Sequence, residues 1–297
     1  MSTGITKQTT EEMPEFLKQE IAASGGGAGL ATLKTKVTPP RIKVIQKTAG
    51  AELQAVYNVG DVILSPSGVP VIRQLLDDVT HKPIGKSEEF LFIPLFYYPE
   101  FIITNPYQLK SQLPMIRERT LDPQSQLGRD CQVFEKRKFP CPESPPNTNY
   151  ECTRSECFNF IVTLLTPNER FCDIACMSFR SGEYKTGQNF ASLIMSRGSH
   201  GSKPDIFANV FAATCSLHTH KNGDPSWGLD IANPRLVEYG GYGHWVKDYD
   251  LYKYAEAQHK LLQESYNDKT LAVDYDNDDQ AGVNAASAVD ATGQPRY

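Results

Sequence analysis

No stretch of this 297-residue chain approaches the roughly 20 consecutive apolar residues that span a bilayer as a helix, so no membrane role is expected. The opening residues, MSTGITKQTTEEMPEF, lack the apolar centre of a secretory signal, and a reducing, intracellular setting is the expectation. No Gly-x-x-x-x-Gly-Lys-Ser/Thr phosphate loop, Gly-x-Ser-x-Gly elbow, His-Glu-x-x-His helix or dinucleotide fingerprint occurs, so those enzyme classes have no motif here. Internal repeats are missing too. A strong charge of either sign is also lacking: 30 Lys and Arg against 35 Asp and Glu give a net of -5.

That small net hides an uneven distribution. Residues 248–297 hold ten acids and four Lys or Arg, a net of -6. Residues 21–247 hold 21 acids and 24 bases, a net of +3. Acidic ends flanking a mildly basic body suit a polyanion-binding body with a tail that mimics the polyanion, or a solvated tail that maintains solubility. An apolar fraction of 40% and a charged fraction of 22% are ordinary for a soluble globular chain.

The most distinctive stretch runs from Cys131 to Leu165. Four of seven cysteines fall in it, Cys131, Cys141, Cys152 and Cys157, separated by nine, ten and four residues. Pro140, Pro142, Pro145, Pro146 and the basic run Lys136, Arg137, Lys138 leave this loop little apolar material for a core of its own. Four thiolates at its ends suit a structural, tetrahedral Zn²⁺. Two disulfides would need an oxidising compartment and leave an odd thiol over, and buried, unrelated thiols are the remaining possibility. Cys172, Cys176 and Cys215 read as buried thiols.

Period-two alternation predicts strands at 41–46, with Arg41 and Lys43 on one face, at 56–64 and 69–75 around a turn at 65–68, and at 90–103, 158–165, 171–180 and 206–217. Helical signals lie at 11–22, 186–198 and 251–264. The run at 90–103 is the most apolar. Strict alternation puts Leu91, Ile93, Leu95 and Tyr97 on one face and Phe90, Phe92, Phe96 and Tyr98 on the other. It is either a strand buried on both faces or a core face backed by an aromatic platform for bases. Residues 104–130 carry Lys110, Arg117, Arg119 and Arg129 with Tyr107 interleaved. With Lys136, Arg137 and Lys138 they are the densest basic region. His218 and His220 would share a strand face near Asp224, an arrangement a metal-dependent nuclease could use.

Mainly β order, a helix among the strands and a cysteine-bearing insertion together predict an α+β chain built on an OB-fold-like Greek-key barrel with an inserted zinc loop. The expected organisation is a flexible arm at 1–38, a nucleic-acid-binding body at 39–265 with the zinc loop at 129–158, and a disordered acidic tail at 266–297.

Gly29-Leu30, the run Pro40-Arg-Ile-Lys-Val-Ile-Gln46, Gly60-Asp-Val-Ile63 and Phe92-Ile-Pro-Leu95 resemble the opening of a group of tailed-bacteriophage proteins. Residues 160–165, 179–190 and the aromatic stretch to Trp245 are similar to the same group's body. The chain resembles the zinc-containing, OB-fold single-stranded DNA-binding proteins of such phages. The cysteine spacing departs from their His-plus-three-Cys site, and the chain closes on Gln-Pro-Arg-Tyr in place of an acidic terminus. The resemblance implies a non-enzymatic protein that coats single-stranded DNA during phage replication and recombination, in the cytoplasm of the infected bacterial host. Its tail would recruit replication or recombination proteins. Zn²⁺ would be held by Cys131, Cys141, Cys152 and Cys157. DNA would be held by Arg41, Lys43, Phe92, Phe96, Tyr98, Tyr107, Lys110, Arg117, Arg119, Lys136, Arg137 and Lys138. A phage structural or assembly protein with a zinc-stabilised loop is the alternative.

Overall fold

Alternating Arg41, Ile42, Lys43 and Val44 form β1 (Arg41–Val44), with Ile42 in the core. The computed structural model describes residues 39–65, 67–72, 89–165, 174–197, 204–219, 225–233 and 245–271. The expected arm, the helix at 11–22, His220, Asp224 and the tail beyond 271 lie outside these residues. A short helix, α1 (Ala51–Gln54), precedes the strand expected at 56–64, which begins only at Val62. The chain returns through Gly60 (φ 95°) into β2 (Val62–Ser65), then turns at Gly68 (φ 72°) into β3 (Val69–Ile72). Gly68 is needed twice over, for its positive φ and because a Cβ there would lie 2.6 Å from the Tyr57 hydroxyl.

The remaining elements are β4 (Phe90–Thr104), β5 (Ile116–Thr120), α2 (Gln126–Gln132), β6 (Lys138–Pro140), β7 (Glu151–Leu165), β8 (Ile174–Phe179), α3 (Tyr184–Ser196), β9 (Phe211–Thr219), β10 (Pro225–Ala232) and α4 (Tyr249–Asn267). The protein is a mixed α+β structure with a strongly curled mixed sheet, a half-barrel. Its strands run in the order β10-β9-β4-β7-β8-β1-β2-β3, with β5 added to β4 and β6 to β7. Every pairing is antiparallel except β1 with β8.

The faces of β4 differ from strict alternation. The register slips between Pro94 and Phe96. Proline cannot donate to the ladder, and a bulge absorbs the loss. Beyond it the parity inverts. Phe90, Phe92 and Tyr97 now face the inside of the curl, while Leu91, Ile93, Leu95, Phe96 and Tyr98 share the outside. The carbonyl of the bulged Leu95 is taken by His259 Nδ1 at 2.7 Å, so that nitrogen carries the proton.

Inside the curl, α3 lays Phe190 against Phe160, Phe211 and Phe92, with ring centroids 4.5, 5.0 and 5.7 Å away. Gly187 permits this approach, since a Cβ there would lie 2.7 Å from Phe179 Cβ and 2.9 Å from Phe158 Cβ. Outside, α4 covers β4, β7 and β9 with Leu251, Ala255 and Leu262, spaced for one helical face. Asp248 caps this helix, accepting from Asp250 N at 2.9 Å and Leu251 N at 3.1 Å. Helix α4 outlasts the expected end at 264, and Leu271 is still buried against the same cluster.

The curl stops short of a continuous backbone ladder between β1 and β10. Just past β1, the Gln46 side chain fills the place of a strand residue. Its Nε2 donates to Trp227 O at 2.6 Å, and its Oε1 accepts from Trp227 N at 3.0 Å. Gln46→Ala should cost about 1–3 kcal/mol by leaving both Trp227 groups without that amide. Gly187→Ala should be net destabilising, because about 1–3 kcal/mol of overpacking outweighs roughly 1 kcal/mol of helix propensity. Urea unfolding checks both: a lowered midpoint is expected for each variant, and parental midpoints would show that the seam and the helix contact yield freely.

Candidate nucleic-acid interface

A cleft of about 790 Å³ follows the seam. One wall is β1 and the turn after it, with Arg41, Lys43 and Lys47. The segment after β4 supplies Tyr107, Lys110, Leu113 and Met115. The end of β8 adds Ser178, Arg180 and Glu183, and the β9–β10 pair adds Leu217, Trp227 and Leu229. Five cationic residues, of which Arg41 is itself buried, and one carboxylate are therefore among its lining residues. Two aromatics stand on opposite walls. Tyr107 is 57% exposed, and Lys110 Nζ lies 4.2 Å from its ring centroid and donates to its hydroxyl at 2.6 Å. Trp227 is half-buried, its backbone pinned by Gln46.

Of the twelve residues expected to hold DNA, the fold brings Arg41, Lys43, Tyr107 and Lys110 to this cleft. Phe92, Phe96 and Tyr98 are corrections. Phe92 and Tyr98 are fully buried and Phe96 nearly so. Phe92 meets the Phe190 ring on the inner face. Phe96 lies under α4 beside His259 and Tyr266, with centroids 5.9 and 5.6 Å away. Tyr98 packs on Tyr266, and its hydroxyl contacts Cys176 Sγ at 3.7 Å. Such rings cannot receive a base. Lys110 apart, the cations expected of the insert between β4 and β7 are not among the residues that line the cleft. Arg117 pairs with Glu143, Arg119 lies 4.0 Å from Glu100, Lys136 2.7 Å from Asp130 and Lys138 3.5 Å from Glu151. Arg137 lies 5.8 Å over the exposed Phe134 ring. Lys136, followed by Gln126, holds the Asp130 carboxyl below the usual carboxylate range.

The insert does bury a core, contrary to the expectation that its composition leaves it none. It borrows Phe101 and Ile103 from the end of β4 and adds Leu109, Leu127, Cys131, Cys141 and Cys152. Arg154 of β7 fastens it, lying 3.9 Å over the Phe139 ring and donating to the Lys136 carbonyl at 2.7 Å. The four cysteines named for Zn²⁺ do not fit one ligand shell. Cys152 and Cys157 are an odd number of residues apart on one strand and face opposite sides of the sheet. Cys157 packs with Ile102 and Ile116 instead. Among the described residues, no three His, Cys, Asp or Glu side chains gather as a metal site. Burial pushes the Cys131 thiol up to about 11 and Cys157 to about 12, which favours the neutral thiol of a core residue. His218 engages Asp230 Oδ1 through Nε2 at 3.1 Å.

The chain matches no protein-family model, no curated protein and no solved structure. The candidate site therefore rests on geometry alone. Sequence reading missed Lys47, Arg180, Glu183 and Trp227. Arg180 closes a strand and Trp227 sits in a glycine-rich aromatic stretch, but only the curl makes them neighbours of β1. Tyr98→Ala should lower stability by about 3–5 kcal/mol, as for other large core aromatics. Denaturant midpoints check this. A fully stable variant with weakened DNA binding would return Tyr98 to the interface.

Proposed function

We propose that this protein binds single-stranded DNA without catalysis and with little dependence on sequence, holding the strand in the cleft along β1. The observation that carries the proposal is the lining itself: Arg41, Lys43, Lys47, Lys110 and Arg180 for phosphates, with Tyr107 and Trp227 as faces for bases. A groove that combines cations with aromatics suits an unpaired strand, whose bases are free to stack, better than a duplex, whose bases are not.

Strand order supports an OB-type barrel as the scaffold. β4, β7 and β8 form a meander, α3 follows, and β9 returns to pair with β4 before turning back as β10. These five take the places of the five OB strands, and β1 occupies the position between the third and the fifth. The insert after β4 then corresponds to the connection between strands one and two, and the β9–β10 turn to that between four and five. Oligonucleotides bind OB-folds across strands two and three between those two connections. The cleft lies beside β8 between the same two, with Tyr107 and Lys110 from the first and Trp227 next to the second. Zn²⁺ has no part in holding the strand in this reading.

A salt titration against oligothymidylate tests it. Lys43→Ala with Lys47→Ala should lower the slope of log K against log salt by up to about 1.4, at roughly 0.7 per phosphate contact. Tyr107→Ala should weaken binding about five- to a hundredfold at fixed salt while leaving that slope nearly unchanged. Parental binding by both folded variants would place the strand elsewhere. Equal affinity for duplex and single strand would defeat the reading.

A further inference from the structure

Among the five cations of the cleft stands one carboxylate, Glu183, and its position is built. It ends the tight turn that leads from β8 into α3. The backbone N–H of Leu229 on β10 donates to it. Its neighbour on that strand is Gly228, where a Cβ would lie 3.0 Å from Glu183 Oε1 and 2.8 Å from the His218 ring atoms Cε1 and Nδ1. A side chain at 228 would displace both. The His218 ring is in turn held from its other nitrogen by Asp230. Burial is the largest influence on the carboxyl and raises its pKa, against His218, Arg180 and Arg41, which act to lower it. A fixed, poorly hydrated carboxylate in a polyanion groove needs a reason. Phosphates avoid it, so a strand whose phosphates follow Lys43, Lys47 and Lys110 presents its bases to this side, at the edge of β10.

We propose that Glu183 reads guanine, accepting the N1–H and N2–H of an unpaired guanine at the edge of β10. This rests on the cleft being a single-strand site. Guanine is singled out by its donor pattern. Its Watson–Crick edge carries two adjacent N–H groups, which match the two oxygens of a carboxylate. Adenine and cytosine each offer an amino group beside a ring nitrogen acceptor. Thymine offers one imino N–H between two carbonyls. Each of these three brings a lone pair against the carboxylate. The bond from Leu229 uses one of about four lone-pair positions on the carboxylate and leaves room for two more. The strand is thus bound generally by charge and stacking, with a register preference set at one base.

Fluorescence anisotropy with short oligonucleotides at one salt concentration tests this. The probes are oligothymidylate, the same oligomer with isolated guanines, and that oligomer with hypoxanthine in place of guanine, which removes the N2 donors alone. The unaltered full chain should bind the guanine oligomer about fivefold more tightly than the hypoxanthine one, the low end of what a bidentate base contact is worth. Glu183→Gln should bring that ratio to one, since an amide turns a donor toward the guanine donors. Equal affinities for the two oligomers in the unaltered protein, with oligothymidylate still bound, overturn the guanine proposal and spare the single-strand reading. A ratio that survives Glu183→Gln overturns the assignment to Glu183. If that variant does not fold, the guanine and hypoxanthine comparison in the unaltered protein decides. Failure to bind any of the three probes overturns the single-strand reading together with this proposal.

Discussion

The register slip at Pro94 is the constraint on which the rest of the structure depends. β4 and β7 are both 15 residues long and pair along their length, so they form the spine to which every other layer is referred. One extra residue in β4 inverts its faces halfway along. Before the bulge Phe90 and Phe92 go inward to meet α3. After it Phe96 and Tyr98 go outward, to be covered by α4 and Tyr266. His259 takes the carbonyl that the bulge leaves without a ladder partner, which ties the covering helix to the defect itself. With α4 over β4, β7 and β9, the outward face that carries Arg41, Lys43 and Ser178 on β1 and β8 is left to the cleft.

The seam follows from the same geometry. β1 pairs in parallel with β8 at a single register position, Arg41 with Cys176, and then leads away to β2. The edge of β10 therefore meets side chains in place of a neighbouring strand. Gln46 supplies both a donor and an acceptor to Trp227, and Glu183 accepts from Leu229. Edge groups satisfied this way remain paired, as buried backbone must be. A side-chain closure keeps the barrel wall while leaving a groove along it, which a continuous ladder would have filled.

Much of this scaffold was legible in the sequence. β1, β3, β4 and α3 lie close to where alternation, turn glycines and helical spacing put them, because those signals are local. The inversion of β4 was not legible in the same way. Pro94 marks a bulge as possible, but which residue is extruded depends on the pairing with β7. The thiols show a related limit. Their spacing in sequence says nothing about which face of a strand each occupies, and Cys152 and Cys157 part company on β7. Conversely, Arg180, Glu183 and Trp227 belong to three separate segments, and only the curl of the sheet gathers them beside Arg41 and Lys43.

The density of basic residues along the chain says little without the partners each one has. The insert is the most basic stretch of the chain, yet Arg117, Lys136 and Lys138 each face a carboxylate. A phosphate would have to replace an interaction already made, so each such cation contributes little net attraction. Lys47 and Lys110 have no carboxylate partner among the described residues, and Lys110 rests on the neutral ring of Tyr107. Phosphates reaching those two displace no anion. A body with a net of only +3 could hold a polyanion on these terms, because attraction is set by the local balance of charge, and Lys47 and Lys110 line the groove without a carboxylate partner among the described residues. Glu183, the one carboxylate among the lining residues, is then the feature that the proposed phosphate contacts alone do not explain.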